Sequence, residues 1–160
     1  MNTYTGRLGG EGARVAIVAS RFNDVVTDRL VAGARDALAR HGVDNGSVTL
    51  AWTPGAFELP VAAQRLALSG EFDAVVCVGA VIRGSTDHYE HVAGQCAAGL
   101  ARVALDTGLP VVFGVLTTET TADAIERAGG KLGNKGFEAA TTALEMVDLL
   151  RQLPKPAASA

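Results

Sequence analysis

Short apolar segments that alternate with helical stretches constrain the fold of this chain more than any other feature of its sequence. Residues 14–20 (RVAIVAS), 48–52, 74–81 (AVVCVGAV) and 111–116 are short and mostly apolar, as buried strands are. Their apolar residues follow one another directly, so both faces of each strand are expected to be covered. Because helical segments separate the strands, the pattern predicts a parallel sheet with helices on both faces.

The segments between the strands carry the signals of α-helices. Asn23 can cap the first helix, and Gly42 ends it at the C′ position. The apolar residues of that helix recur every four positions, at Val26, Leu30, Ala34 and Leu38. Further helices are predicted over residues 60–69, 88–106 and 120–128, and from a glycine-rich joint at 129–133 to about residue 153.

Four strand–helix units favour a flavodoxin-like, doubly wound α/β fold with a four-stranded parallel sheet. A chain of 160 residues is expected to form one domain. That domain is predicted over residues 1–153, and residues 154–160 are expected to form a disordered tail. Residues 3–8 alternate weakly between apolar and polar, which makes them a candidate edge strand that can pair with a neighbouring subunit.

The composition excludes several classes of protein. With 48% hydrophobic residues, 19% charged residues and a net charge of −3, the chain is neither disordered nor a basic nucleic-acid binder. It has no signal-peptide pattern at its start and no apolar stretch of membrane-spanning length. Cys77 and Cys96 stand in apolar surroundings, which indicates free buried thiols in a reducing cytoplasm, and no metal-ligand spacing is present. The apolar content exceeds what one small globule buries, which favours subunit contacts.

Ligands of open α/β sheets bind beyond the carboxyl ends of the strands, so the loops that follow the strands are the candidate site. These loops are residues 20–23, 53–58, 82–88 and 114–118. Phe22 can stack on a flat heterocycle or pack under its own loop. Glu58 begins a helix, where its carboxylate can accept hydrogen bonds from polyol hydroxyls or cap the helix.

The third loop has the composition of a phosphate site. Residues 83–86 (RGST) combine a glycine turn with two hydroxyls before a helix, without the Gly-Lys-Ser/Thr ending of a nucleotide P-loop. A small phosphorylated substrate is therefore expected. His88 lies in the first helical turn, where it can shuttle protons near neutral pH or face solvent, and His91 is interpreted as ordinary surface. The cations near the glycine joint can assist phosphate binding or form a solvated face: Arg127, Lys131 and Lys135.

Several of these motifs, in this order, resemble those of the lumazine synthase family. They are Phe22-Asn23, residues 54–60 (PGAFELP), residues 79–84 (GAVIRG), His88, residues 113–118 (FGVLTT) and residues 133–136 (GNKG). The resemblance extends from about residue 14 to residue 153. It implies a transferase of riboflavin biosynthesis that condenses 5-amino-6-(D-ribitylamino)uracil with 3,4-dihydroxy-2-butanone 4-phosphate. The expected products are 6,7-dimethyl-8-ribityllumazine, phosphate and water, and no metal or redox cofactor is expected.

The resemblance also implies a role for each candidate residue. Phe22 stacks on the pyrimidine, Asn23 is a further substrate-binding residue, and Ala56, Phe57 and Glu58 hold the ribityl chain. The backbone around Val81 and Ile82, together with Lys135, binds the pyrimidine edge. Ser85, Thr86 and Arg127 bind the phosphate, His88 transfers protons, and Phe113 closes the pocket from an adjacent subunit.

By the same resemblance, the subunits form a homopentamer whose active sites are shared between neighbours. The family divides between free pentamers and pentamers that close into an icosahedral 60-mer. The joint at residues 128–136 (AGGKLGNKG) has no insertion, which favours the shell, although its glycines can instead serve only to make room for substrate. Riboflavin synthase is a further candidate partner.

Two other functions compete with this one. A flavodoxin-like domain can hold a flavin or lumazine without catalysis, and a shell protein can serve assembly alone. The phosphate loop, His88 and Arg127 favour the enzyme, because a pure binder has no leaving phosphate to recognise. A response regulator is excluded, because the first strand ends in Val18-Ala19-Ser20 without an acidic pair to bind magnesium.

Overall fold

A sheet of four parallel strands organises the chain, which the computed structural model describes over residues 1–157. The strands are β1 (Val15–Ser20), β2 (Val48–Thr53), β3 (Ala74–Ile82) and β4 (Val111–Thr118), in the order β2-β1-β3-β4. The α-helices of this part of the chain are α1 (Asp24–Arg40), α2 (Leu59–Ala67), α3 (His88–Thr107), α4 (Thr121–Glu126) and α5 (Lys135–Gln152). The predicted doubly wound, flavodoxin-like fold is confirmed, and its topological switch point lies between β1 and β3.

Successive residues of β1 point to opposite faces of the sheet and so divide the core into two layers. Val15, Ile17 and Ala19 pack on one face, with buried residues of α1 and α5. Ala16 and Val18 pack on the other face, with buried residues of α2 and α3. All five side chains are fully buried, which is why this strand is apolar at every position.

The strand β2 departs from the predicted pattern because it lies at an edge of the sheet. It pairs with β1 along its whole length, from Val48 beside Val15 to Thr53 beside Ser20. Its other side meets no strand within residues 1–157. Leu50 and Trp52 stay 36% and 37% exposed, so the expectation that both faces of every strand are covered is wrong for β2.

Asn23 precedes α1 without capping it, contrary to the sequence prediction. Its backbone is left-handed, with a φ of 64°, and its side chain makes no capping hydrogen bond. Instead, Asn23 Nδ2 donates to the Ala80 carbonyl oxygen at 2.8 Å. The amide thereby ties the chain after β1 to the end of β3. Gly42 follows the end of α1 as predicted, with a φ of 88°.

The glycine-rich joint folds as a small hairpin, which sequence reasoning missed. The helix α4 ends earlier than predicted, and β5 (Ala128–Gly130) pairs with β6 (Gly133–Asn134) in antiparallel fashion. Gly129 and Gly133 have φ values of 102° and 84°, which residues with a β-carbon resist. The glycines of this joint therefore permit the hairpin that leads into α5.

Asn134 fastens the start of α5 to α1. Its Oδ1 accepts hydrogen bonds from the backbone of Gly136 at 2.9 Å and Phe137 at 3.1 Å, which caps α5. Its Nδ2 donates to the Arg29 carbonyl oxygen at 3.0 Å. A β-carbon at Gly33 would overlap the Asn134 amide, so a glycine in α1 allows this close approach.

The N-terminal segment and the described residues after α5 lie outside the sheet. The backbone N–H of Arg7 donates to the Asp148 carboxylate and the Gln152 amide donates to the Thr5 carbonyl oxygen, both at 2.8 Å, so the N-terminal segment lies along α5. Residues 3–8 form no strand here, and their pairing with a neighbouring subunit stays a prediction. Residues 154–157 lack regular secondary structure, and the rest of the predicted tail lies outside the described residues. None of the helices in residues 1–157 is long and apolar enough to span a bilayer.

Candidate active site

A cavity of about 620 Å³ opens at the carboxyl ends of β1, β2 and β3. This is where a doubly wound sheet is expected to bind its ligand, and the volume suits a small organic molecule. We call this the first cavity. It is lined by the loop after β1, the turn after β2, and the segment from the end of β3 into α3. Its lining residues are Phe22, Asn23, residues 54–58, Ala80, Val81, Ile82, Gly84, Thr86, His88, Tyr89, His91 and Val92.

Two exposed aromatic rings stand in the wall of the first cavity. Phe22 is 72% exposed and Phe57 is 57% exposed, although large apolar side chains are normally buried. Backbone hydrogen bonds fix the loop that carries Phe22, from Arg21 N to the Thr53 oxygen at 2.8 Å and from Phe22 N to the Pro54 oxygen at 3.1 Å. The Phe22 ring therefore does not pack under its own loop, and it is available to a planar ligand.

Glu58 precedes α2 without capping it. Its side chain makes no capping hydrogen bond, and a β-carbon at Gly55 would lie 3.0 Å from Glu58 Oε2. The Thr53 hydroxyl donates to the Gly55 carbonyl oxygen at 2.9 Å and holds the turn, in which Ala56 is buried. The carboxylate is thus left to accept hydrogen bonds from a molecule in the first cavity.

The third loop brings Thr86 and His88 to the first cavity, but not Ser85. The backbone N–H of His88 donates to the Thr86 hydroxyl at 3.4 Å. Ser85 lies between two lining residues without lining the cavity itself. His91 is exposed, as expected of a surface residue, and it also lines the cavity. Its three-residue spacing from His88 on one helix places both on the same face, and this spacing could have identified it.

Phe113, Arg127 and Lys135 line a second cavity, of about 450 Å³, beside β4 and the start of α5. Arg127 Nη1 donates to the Asp123 carbonyl oxygen at 3.0 Å, and Lys135 Nζ lies 3.4 Å from Glu138 Oε2. Both cations still have more than 40% of their side chains exposed, at 43% and 44%. They are therefore oriented by the protein yet open to an anion.

The residues predicted to bind phosphate do not all line the same cavity. Arg127 and Lys135 line it, whereas Lys131 does not. Thr86 lines the first cavity instead. Within one chain, the structure does not bring Thr86 and Arg127 into one cavity.

Residues 114–118 belong to β4 and are not the loop that the sequence predicted. Val115 pairs with Gly79, and the pairing continues to Thr118 beside Ile82. The sheet thus uses much of the backbone that was expected to serve a ligand. Thr117 and Thr118 still line the second cavity.

Two thiols lie buried in the core between β3 and α3. Cys77 and Cys96 are free and belong to the same core cluster. Burial raises the pKa of both thiols, to about 11 for Cys96, and the nearby Cys96 further raises the pKa of Cys77. Both thiols stay protonated near neutral pH, so neither acts as a nucleophile, and the predicted burial of free thiols is confirmed.

The fold and the first cavity together define a class of protein. It is a flavodoxin-like α/β protein with a pocket for a small organic molecule at the carboxyl ends of its strands. Within residues 1–157, no three His, Cys, Asp or Glu side chains cluster closely enough to hold a metal ion.

Comparison with known proteins identifies the family. The family model of 6,7-dimethyl-8-ribityllumazine synthase matches residues 12–151. The chain is also 53% identical, over 153 residues, to the 6,7-dimethyl-8-ribityllumazine synthase of Protochlamydia amoebophila (strain UWE25), an alignment that covers 96% of this chain and 89% of that relative. The chain belongs to the 6,7-dimethyl-8-ribityllumazine synthase family, a family of transferases of riboflavin biosynthesis, as its motifs predicted.

Proposed function

We propose that this chain condenses 5-amino-6-(D-ribitylamino)uracil with 3,4-dihydroxy-2-butanone 4-phosphate to form 6,7-dimethyl-8-ribityllumazine. The observation that carries the proposal is the first cavity, in which Phe22, Glu58 and His88 meet in a member of this family. An aromatic ring, a carboxylate and an imidazole suit a substrate with a flat ring, a polyol chain and a reacting amine.

The reaction asks little of the protein beyond binding and proton transfer. The pyrimidine amine adds to the ketone of the sugar phosphate and loses water, which gives an imine that joins the two substrates. Phosphate then leaves, and ring closure with loss of a further water gives the lumazine. Because both substrates are intrinsically reactive, holding them in the correct orientation supplies much of the acceleration. His88 accepts and returns protons at the first cavity.

Each candidate residue has a place in this scheme. Phe22 stacks on the pyrimidine, while Ala56, Phe57 and Glu58 hold the ribityl chain. Val81 and Ile82 present backbone groups to the pyrimidine edge, which Lys135 also contacts. Ser85, Thr86 and Arg127 bind the phosphate, and Phe113 closes the pocket from an adjacent subunit. Asn23 supports the pocket through its hydrogen bond to Ala80, besides any contact with substrate.

One assay tests the proposed activity. The purified chain, mixed with both substrates, should generate lumazine absorbance and inorganic phosphate in equal molar amounts. A reaction without protein measures the spontaneous rate. If the rate with the purified chain is no higher than this control, the proposal is wrong. A domain that merely binds a flavin or lumazine would take up the product but would not release phosphate.

We infer further that each active site is completed by a second copy of the chain. The first cavity lies at the ends of β1, β2 and β3, and the second lies at the opposite edge of the sheet, beside β4. Contact between two different patches of identical subunits is head-to-tail, and such contacts form rings when the rotation closes.

The apolar surface of both cavities supports this assembly. Phe22 and Phe57 are exposed in the first cavity, and Phe113 and Leu132 are 37% and 57% exposed in the second. Exposed aromatic and aliphatic groups at two sites of one chain favour burial against a neighbour. Family membership makes a homopentamer the expected ring.

We propose that the pentamers close into an icosahedral 60-mer. The hairpin of β5 and β6 is compact, and the left-handed φ values of Gly129 and Gly133 give it a defined bend before α5. A fixed bend sets the angle at which α5 faces a neighbouring pentamer. Light scattering and negative-stain microscopy at neutral pH test this, and particles of pentamer mass alone in ordinary buffers would contradict closure.

A further inference from the structure

Arg83 joins three elements beside the first cavity without lining it. The residue follows β3 directly, and its backbone N–H donates to the Thr118 carbonyl oxygen at 2.9 Å. This bond extends the pairing of β3 with β4 by one residue. The side chain contacts Glu119 after β4 and reaches the first turn of α3 at Tyr89 and Glu90.

The guanidinium of Arg83 contacts two carboxylates and one aromatic ring. Its Nε lies 2.9 Å from Glu119 Oε2, and its Nη1 lies 3.3 Å from Glu90 Oε1. The Arg83 Cζ lies 4.4 Å from the centroid of the Tyr89 ring. A planar group with several donors can serve two carboxylates and stack on an aromatic ring together, whereas the compact ammonium of a lysine cannot keep all three contacts.

These contacts contribute more to geometry than to stability. The side chains of Arg83, Glu90 and Glu119 are 37%, 64% and 67% exposed, and exposed ion pairs add little to the free energy of unfolding. They do fix both ends of the segment from residue 83 to residue 90. That segment contains the glycine turn, Thr86 and His88, which line the first cavity.

His88 depends on this segment for its placement. None of the hydrogen bonds found within residues 1–157 involves its imidazole, and its backbone N–H contacts the Thr86 hydroxyl at a long 3.4 Å. The ring therefore takes its position from the first turn of α3. Tyr89 and Glu90, the next two residues of that turn, are the ones that Arg83 contacts.

We propose that Arg83 is a positioning residue for the condensation, because it clamps the first turn of α3 to Glu119 and so fixes His88 in the first cavity. The inference rests on the proposed function, in which His88 transfers protons. It assigns to Arg83 no contact with substrate, in keeping with its absence from the cavity lining.

Single substitutions give the first test. Arg83→Ala should lower kcat about tenfold, because a small misplacement of a reacting group is costly, while the KM for the pyrimidine stays within about twofold. Arg83→Lys should recover only part of the loss. Arg102→Ala is the matched control, since Arg102 lies on α3, the helix whose first turn Arg83 contacts, in an exposed pair with Asp106 at 3.3 Å, and it should leave kcat unchanged.

A double-mutant cycle with His88→Ala separates positioning from a general structural role. If Arg83 acts through His88, Arg83→Ala should lower kcat no further once His88 is absent. Losses that multiply would overturn the proposal, as would an unchanged kcat in Arg83→Ala alone. An inactive wild-type chain would instead contradict the proposed function, so the two failures are distinguishable.

A second variant covers the case in which Arg83→Ala does not fold. Glu90→Gln keeps the side-chain shape and removes only one exposed carboxylate charge. It should lower kcat about twofold to threefold, as expected for an exposed ion pair, and this effect should vanish in the His88→Ala background. A Glu90→Gln chain with the wild-type kcat, or with the same loss in both backgrounds, would overturn the role of the clamp.

Discussion

Thr86 and Arg127 line two separate cavities of one chain, although both are predicted to bind the same phosphate. A hydroxyl and a guanidinium can hold one phosphate only when both lie within hydrogen-bond distance of its oxygens. The proposed shared site would reconcile the two observations, because it places Arg127 of a second copy beside the first cavity of its neighbour. The proposed shared site therefore predicts how mixtures of variants behave.

Complementation between two defective variants tests the shared site. His88→Ala removes a group of the first cavity, and Arg127→Ala removes a group of the second. When both chains are co-expressed in equal amounts, about a quarter of the sites should combine two intact halves and show wild-type turnover. Each variant expressed alone is the control. Mixed assemblies no more active than the average of the separate variants would contradict a shared site.

Stacking on Phe22 predicts a loss of pyrimidine affinity when the ring is removed. Phe22→Ala should weaken binding of a ribitylaminouracil analogue by roughly 1–3 kcal/mol, the usual range for a base stacked on an aromatic side chain. Phe22→Trp keeps a flat ring and should bind nearly as well as wild type. Calorimetric titration of the analogue into each variant measures the difference. Equal affinities for Phe22→Ala and wild type would show that the ring does not stack.

Proton transfer by His88 predicts a loss in turnover without a loss in binding. His88→Ala should lower kcat by about 10²-fold, which is the low end for a positioned general acid–base. The effect should be this small because the two substrates already react with each other, although slowly, without any catalyst. Its affinity for a substrate analogue should stay close to that of wild type.

The control for His88 has to lie outside the first cavity. His91 lines that cavity and is unsuitable, whereas Gln95 is exposed on the same helix and does not line it. Gln95→Ala should have the wild-type kcat. A His88→Ala chain as active as the Gln95→Ala chain would remove His88 from the mechanism.

Phosphate binding by Arg127 predicts a change in the KM of one substrate only. Losing a charge-assisted hydrogen bond to an anion costs about 1.5–3 kcal/mol, so Arg127→Ala should raise the KM of the sugar phosphate about tenfold or more. The affinity for the pyrimidine should be spared, and inorganic phosphate should compete with the sugar phosphate. Lys131→Ala is the matched control, because Lys131 does not line the second cavity. Equal KM values for the two variants would contradict the assignment.

The raised pKa of the Cys96 thiol predicts a loss of stability in alkali. In the unfolded chain the Cys96 thiol has its ordinary pKa of about 9.0, whereas burial in the native state raises this pKa to about 11. Between these values the unfolded state loses a proton that the native state keeps. The stability that the buried, protonated Cys96 thiol contributes is therefore fully present below about pH 9. Above that pH, and up to about pH 11, the free energy of unfolding falls by up to about 1.4 kcal/mol per pH unit.

Urea unfolding near pH 8 and near pH 10, at fixed protein concentration, measures this slope. Cys96→Ala is the control, because it removes the titrating group from both states. The free energy of unfolding of wild type should fall more steeply with pH than that of the variant. Parallel slopes would show that Cys96 ionises equally in the native and unfolded states.

The main elements could be predicted from local patterns. The apolar runs at residues 14–20 and 74–81 correspond to β1 and β3, and the four-residue spacing of apolar side chains corresponds to the buried face of α1. Each of these signals lies within one element, since burial and backbone period act on neighbouring residues. The exposed face of β2 was not foreseen, because an edge position depends on strand order.

Several site features could not be predicted, because they join residues far apart in the chain. Asn23 is of a residue type that commonly caps helices, yet its side-chain amide donates to the Ala80 carbonyl oxygen. Ala80 lies close to Asn23 only because β1 pairs with β3. Arg83 has the appearance of one more residue of the phosphate loop, yet it contacts Glu119 across the end of the sheet. A side chain with several available partners takes the one that tertiary packing places within reach.

The sequence by itself determined the doubly wound fold, the family, and the residue types that meet at the strand ends, since these follow from local periodicity and contiguous motifs. Only the tertiary structure decided which of those residues share a cavity. It brought His91 to the wall of the first cavity and separated Thr86 from Arg127. The physical reason is that the order of the strands and the packing of helices on them set the distances between loops. Both depend on contacts between distant segments, so no single segment of the sequence predicts them.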